Sequence, residues 1–362
     1  MNILYITTIG NTMGFFRPII RELLDDGHTV DVATNLNIGK LPDCYREWGC
    51  KVYPISCTRS PFNKGTLTAI KEIRRIVREG GYDIVHCHTP IAAMCTRFAC
   101  RGLRKNGLRV FYTAHGFHFY KGAPLKNWLL YYPADWLCAH WTDTLITINR
   151  EDYAFAQKHL HAKRVEYVPG VGIDVDKFAN VIVDRAEKRR EIGVPEDAFL
   201  LMSVGELNQN KNHEIVLRAL AQVGNKNIHY AIAGNGPLQE YLMNTAKELG
   251  ISEQVHLLGQ RRDVPELNKA ADVFIHPSLR EGLPVALMEA EASGLPCIVS
   301  RIRGNTDVVT ERDVLCDPHS VDEFAAAIDR LYERQPDRRD IAHIRNFEIS
   351  IVNKKLRALY HI

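Results

Sequence analysis

The residues Asp272–Ser293 restrict what this chain can be more than any other stretch. They open on an apolar run, Val273-Phe274-Ile275, that reads as a buried strand. A polar loop, Pro277–Gly282, follows, and then a helix with Pro284 near its first position and apolar residues at Val285, Leu287 and Met288. Gly294 and Pro296 read as the helix stop. A helix that starts directly after a glycine presents free N–H groups and the positive end of its dipole, and the glycine lets a ligand come close, so this is a seat for phosphate. Glu281 stands before the seat and Glu289 about two turns inside the helix. One carboxylate can hold hydroxyls at one end of a ligand and the other the opposite end, with phosphates between. Sugar, diphosphate and ribose make such a ligand. Two glutamates on a solvated helix face are the plain alternative, which the adjoining strand, glycine and proline disfavour.

The rest of the chain fits a soluble α/β enzyme of two domains. Its 362 residues suffice for two ordinary domains. The 46% hydrophobic and 25% charged content is that of a globular protein. The net charge of +3 divides into roughly +7 for residues 1–180 and roughly −4 for the remainder. The basic first half suggests an anionic partner, a membrane surface, a lipid phosphate or nucleic acid, with simple drift of surface charge as the plain alternative. No signal peptide and no apolar run of about 18 residues is visible, so a cytoplasmic protein is expected, at most peripheral to the inner face of the membrane. Nine cysteines without repeated C-x-x-C spacing favour free thiols. His86-Cys87-His88 is set aside as a metal site because adjacent strand residues point to opposite faces.

In the first half, strand Asn2–Thr7, loop Gly10–Gly14, helix Phe15–Leu24 and strand Thr29–Ala33 form a βαβ unit and predict a parallel sheet. The glycines are spaced G-x3-G, so the dinucleotide fingerprint is absent, although Gly14 can approach a ligand. Leu67–Gly80 is a basic amphipathic helix that either meets anionic lipid or packs on the sheet. Asp143–Ile148 reads as the last strand of this domain. After strand Val110–Thr113 comes T-A-H-G-F-H-F-Y-K-G-A-P, which places His115 at a strand's C-terminal end, where open α/β sheets bind ligands. His118 and Lys121 share that loop, and Lys121 can meet an acceptor phosphate. Trp128–Trp141 is an aromatic-rich helix read as core, with a membrane interface as its alternative.

The Pro/Gly segment from Pro169 predicts the domain boundary, and Asp174-Val175-Asp176 is read as part of that hinge, not as a metal-binding D-x-D. Strand Phe199–Gly205 leads to Glu206–Asn212 and a helix from His213. Strand His229–Ala233 runs into Gly234-Asn235-Gly236-Pro237, a loop suited to face a nucleotide. Val255–Leu258 and Pro296–Ser300 are further strands, and Phe347–Leu359 a final helix.

E-G-L-P-V-A-L-M-E resembles the E-x7-E motif of the family 4 glycosyltransferases, and His115-Gly116 resembles that family's His–Gly. The phrase Thr113–Pro124 is similar to a subgroup that assembles capsular and exopolysaccharides on lipid-linked sugars. The resemblance implies the GT-B fold: two Rossmann-like α/β domains facing a cleft. It places an acceptor-binding domain at 1–170, a nucleotide-sugar domain at 171–345 and a returning helix at 346–362. It implies retaining, metal-independent transfer without a cofactor, from a UDP-sugar to a lipid-linked sugar at the inner leaflet, and no nucleic-acid partner. His115 and Glu281 would contact the transferred sugar. Gly282, Leu283 and Pro284 with Lys211 would hold the diphosphate, and Glu289 the ribose. Gly14, Gly234 and the backbone at Arg261 would complete the donor site. Glu206 stands where the family has a phosphate-binding Arg, leaving Arg17, Arg280 or a backbone contact to replace it. Arg17 also joins His118 and Lys121 as an expected acceptor contact. A UDP-sugar 2-epimerase of the same fold and an inactive sugar-nucleotide binder are the alternatives.

Overall fold

A computed structural model of the chain describes residues 1–58, 60 and 65–362. They divide into two compact units, Met1–Val171 with Val352–Ile362, and Gly172–Ile351. The expected basic helix is described from Gly65 onward.

The first unit is a seven-stranded parallel sheet. In chain order its strands are β1 (Asn2–Ile9), β2 (Thr29–Asn35), β3 (Val52–Pro54), β4 (Ile84–His88), β5 (Arg109–Ala114), β6 (Thr144–Thr147) and β7 (Arg164–Tyr167). Their spatial order is β3-β2-β1-β4-β5-β6-β7. β4 is buried along its whole length and β1 and β2 nearly so, as a parallel sheet covered on both faces requires. Two elements of this unit depart from expectation. Gly10–Phe16 is a 3₁₀ helix, not a loop, and β7 extends the sheet beyond Asp143–Ile148. β7 was hard to read because Arg164-Val165-Glu166-Tyr167 is an edge strand with no continuous apolar run.

The second unit repeats the plan with six parallel strands: β8 (Phe199–Val204), β9 (Ile228–Ala233), β10 (Val255–Gly259), β11 (Val273–His276), β12 (Cys297–Ser300) and β13 (Val314–Cys316). Their order is β10-β9-β8-β11-β12-β13. The helix Val321–Arg334, which buries Phe324, Ile328 and Leu331, packs beside the helix His213–Val223. Asp174-Val175-Asp176 enters a short helix, Val175–Ala179; Asp174 caps it by accepting from the Lys177 N–H, and Asp176 pairs with Arg345.

Each sheet reverses its direction of growth once, between β1 and β4 and between β8 and β11. Crevices at the carboxyl ends of such strand pairs are where open parallel sheets bind ligands. The final helix, Ile349–Tyr360, belongs to the first unit from Val352 onward. There Asn353 donates to Glu22, Arg357 pairs with Asp26, and the Tyr360 hydroxyl lies 2.7 Å from that of Tyr5. All nine cysteines are free. Among the described residues no helix is long and apolar enough to cross a membrane.

Candidate active site

The second unit's reversal point brings together two residues seventy positions apart. Lys211 lies beyond β8 and Glu281 beyond β11, and Lys211 Nζ donates to Glu281 Oε1 at 2.7 Å. Their loops are locked to each other. The Leu279 N–H donates to the Asn210 carbonyl at 2.8 Å, and the Asn210 amide to the Arg280 carbonyl at 2.9 Å. Asn212 takes a left-handed φ of 55°, which asparagine tolerates, and its amide donates to the carbonyls of Pro277 and Pro318. Gly234 and Gly236 have a packing reason: a Cβ at Gly234 would sit 1.8 Å from the Gly205 carbonyl oxygen, and one at Gly236 2.4 Å from that of Leu207.

Glu281 also lies 3.3 Å from His276 Nε2, and Ser278 Oγ lies 3.2 Å from the same nitrogen. Burial alone pushes the Glu281 carboxyl up; the His276 hydrogen bond and the Lys211 charge outweigh it and hold the group well below the usual carboxylate range. His276 was not foreseen, although it ends β11 as His115 follows β5. Burial lowers its pKa, with Glu281 opposing. The helix Val285–Ala292 begins directly after, with Pro284 at its cap rather than inside it. Leu283 is buried, and the Gly282 carbonyl packs where a Cβ on Gly304 would come within 2.5 Å. The carboxyl of half-buried Glu289 meets no hydrogen-bond donor among the described residues, and burial pushes it up to about 7 against the opposing charge of Lys177.

The Arg261 side chain turns to Asp263 and Glu191, which leaves its backbone as the part able to face a base. Glu206 is exposed and accepts from the Asn208 amide at 3.0 Å, so its carboxylate does not occupy the Lys211–Glu281 pair. Arg280 forms no ion pair among the described residues.

The first unit's reversal point holds a histidine cluster. Alternation along β4 puts Cys87 on one face and both His86 and His88 on the other, with ring centroids 4.2 Å apart. His86 and His88, two apart, share a face although each is opposed to its neighbour Cys87. His88 Nδ1 lies 3.1 Å from His115 Nε2, and Phe16 stacks on His88 at 4.0 Å. His86 bonds Thr113 Oγ1 at 2.8 Å and the Tyr360 hydroxyl. Burial lowers all three imidazoles, His115 to about 4, His86 to about 3 and His88 well below its usual value. They are therefore neutral near pH 7. A pocket opens on this cluster, lined by His86, His88, Thr113 and His115 with the apolar walls Phe15, Phe16, Ile146 and Leu356. Thr89 holds an unusual φ of 65° here, with its hydroxyl 2.7 Å from that of Thr8.

The other expected residues do not line this pocket. Arg17 is exposed and bonds the Gly14 carbonyl, while Gly14 has room for a Cβ. His118 packs on Tyr131 at 4.5 Å, and Lys121 is exposed.

Two Rossmann-like domains, each a parallel sheet that reverses its growth once and collects polar groups there, make up the GT-B architecture. Residues 16–177 match the family described as Glycosyltransferase Family 4 and residues 184–344 that described as Glycosyl transferases group 1. The chain is 36% identical over 327 residues to the putative glycosyltransferase EpsD of Bacillus subtilis, covering 88% of this chain and 84% of that one. It is 31% identical over 275 residues to the Escherichia coli UDP-Gal:alpha-D-GlcNAc-diphosphoundecaprenol alpha-1,3-galactosyltransferase, covering 73% and 70%. The fold matches Anabaena Alr3699/HepE crystallised with UDP-glucose, with a TM-score of 0.82 at 20% identity over the whole of both chains. The chain belongs to the family 4 glycosyltransferases and is a glycosyltransferase.

Proposed function

We propose that this glycosyltransferase moves a hexose, in our reading an N-acetylated amino hexose, from a UDP-sugar to a polyprenyl-diphosphate-linked saccharide, with retention and without a metal ion. The Lys211–Glu281 pair at the mouth of β8 and β11 is the observation that carries the reading. A cation beside a phosphate-ready helix start supplies positive charge for a departing diphosphate from the chain itself. Glu281, ionised and fixed from two sides, can orient sugar hydroxyls, and the Glu289 carboxyl, without a donor among the described residues, can accept from a ribose when ionised. In the step itself the bond from the sugar's C1 to the β-phosphate oxygen breaks and a bond from C1 to the acceptor hydroxyl oxygen forms. The hydroxyl proton passes to the departing phosphate. The lipid-linked acceptor is supported by the E. coli relative, which is named for transfer to a GlcNAc-diphosphoundecaprenol.

The test crosses a panel of UDP-sugars with an undecaprenyl-diphosphate monosaccharide in EDTA, read by mass spectrometry, for wild type and Glu281→Ala. Product from one donor, abolished in the variant and untouched by EDTA, supports the reading. Interconversion of free UDP-sugars without transfer would assign an epimerase instead.

A further inference from the structure

The helix Leu125–Ala139 is the first unit's aromatic-rich helix, and its two sides differ sharply. Trp128, Tyr131 and Tyr132 pack against the core, and Asp135, Cys138 and Ala139 are buried. The outer side carries Leu125 at 73% exposure, Leu129 at 70%, Trp136 at 40% and Leu137 at 47%, with exposed Lys126, Pro133 and His140 among them. At about 100° per residue these seven positions fall within an arc of roughly 120°. They form one continuous face, where a helix packed only on its own domain would present polar residues.

The unpaired charge around this face is cationic, since Asp143 just past the helix's end is held by Arg104 at 2.6 Å. Between Lys121 and Trp141 the only acid is Asp135, which is buried against Arg97 at 2.5 Å. Lys121 and Lys126 stand at the helix's start. At its far end the His161 ring lies 6.0 Å from Trp136 and 5.2 Å from His140, with exposed Lys158 and Lys163 close by in sequence. Fifteen helical residues reach about 22 Å, short of the ~30 Å hydrocarbon core, so the helix is suited to lie in an interface and not to cross it. Leucines and a tryptophan facing outward between cationic ends match an anionic bilayer surface. The basic helix Gly65–Gly80 is the weaker candidate, because its apolar side, Ala69, Ile73, Ile76 and Val77, is spent in the core.

We infer that the outer face of the helix Leu125–Ala139 docks this domain onto an anionic lipid surface, with Leu125, Leu129, Trp136 and Leu137 entering the headgroup region. The inference rests on the lipid-linked acceptor reading and names the surface that brings the enzyme to it. The sequence favours core for this helix; the structure divides it, with Trp128, Tyr131 and Tyr132 against the core and the leucines with Trp136 outward.

The test is flotation with vesicles of phosphatidylglycerol and phosphatidylethanolamine, against phosphatidylcholine alone, for wild type, Leu129→Asp and Leu129→Asp/Leu137→Asp. Transfer to a short-chain, water-soluble diphosphate-linked acceptor is measured alongside, with circular dichroism melting to confirm folding. The expected result is flotation of wild type with the anionic vesicles at low salt, at least a tenfold fall in partitioning for the double variant, and unchanged transfer to the soluble acceptor. Wild type that stays in solution, or a double variant that floats as well as wild type, overturns the docking face even if transfer proceeds. Lost flotation in the variants with no transfer by any of the proteins leaves the docking face standing and removes the acceptor reading beneath it. A wild-type dimer in lipid-free solution that the aspartates dissolve would assign the face to a second copy of the chain and overturn the lipid assignment.

Discussion

Lys211 Nζ and Glu281 Oε1 are 2.7 Å apart, in a protein whose sequence places them seventy residues from each other. With side chains only 21% and 14% exposed, they form a pair that water screens poorly. Lys211→Met removes the cation and leaves the Glu281 carboxylate with His276 alone. A fall in kcat/KM on the order of 10² to 10³ is expected, together with a raised donor KM. Because the Glu281 pKa is depressed, the pair's stabilisation is fully present above the ordinary glutamate pKa of about 4.3 and is lost as pH falls through the lower folded value. Urea midpoints for wild type and Lys211→Met should therefore converge as pH is lowered below about 4.3. A gap that persisted unchanged to the acid limit would dissociate Lys211 from the ionisation of Glu281.

Glu289 titrates in the opposite sense. Burial raises its carboxyl to about 7, so in the free enzyme it is largely protonated at pH 6 and ionised at pH 8. The stability linked to this group is fully present below about pH 4.3 and is lost as pH rises through about 7. A carboxylate accepts hydroxyl hydrogen bonds better than a carboxylic acid does. Donor affinity should tighten several-fold between pH 6 and pH 8, and Glu289→Gln should bind more weakly at pH 8 with the pH dependence gone. Isothermal titration with the UDP-sugar identified by the transfer assay measures this, and an equal slope in the variant would exclude Glu289 as its source.

Much of this was legible in the sequence. Continuous apolar runs such as Ile3–Ile6 and Val273–Ile275 mark buried parallel strands, and the glycines and prolines after β8, β9 and β11 mark the loops at the sheet's ligand edge. What escaped was decided by tertiary packing. β7 and β13 are strands of four and three residues, too short for a hydrophobic period to show, so only their pairing with β6 and β12 makes them strands. His276 and His88 carry no motif of their own; each is marked only by lying at a strand's end beside a residue that does. Gly234 was read as facing a nucleotide, whereas its lack of a side chain is already required by the Gly205 carbonyl. A glycine in a ligand loop can thus answer to the fold before it answers to the ligand.

The contact between His88 and His115 makes a further prediction. Both rings are neutral near pH 7, so the 3.1 Å contact has one ring's N–H donating to the other's bare nitrogen. The tautomer of His88 thereby sets that of His115 and decides whether His115's second nitrogen donates or accepts. His88→Phe keeps the stack on Phe16 but breaks this coupling. A fall in kcat of ten- to a hundredfold, typical for loss of an orienting partner, with donor KM little changed, is expected. His88→Asn, which can still bond His115, should recover part of it. Equal kcat in both variants would reduce His88 to packing.

Arg97 and Asp135 test the scaffold rather than the chemistry. Their side chains are 2% and 10% exposed and 2.5 Å apart, and the Arg97 guanidinium lies 4.2 Å from the Tyr112 ring centroid, beneath the helix whose outer face is assigned to lipid. Burial raises the Asp135 carboxyl by more than Arg97 lowers it, a sign that the pair sits where charge is poorly solvated. Removing one member strands the other. Arg97→Met should cost about 3–5 kcal/mol, a loss of roughly 10 °C in the melting temperature of a domain this size. Arg97→Met/Asp135→Leu, which strands nothing, should melt above Arg97→Met alone. Calorimetry of the three proteins decides it: a double variant that melts lower than the single one would mean that the pair is needed for shape and not only for mutual neutralisation.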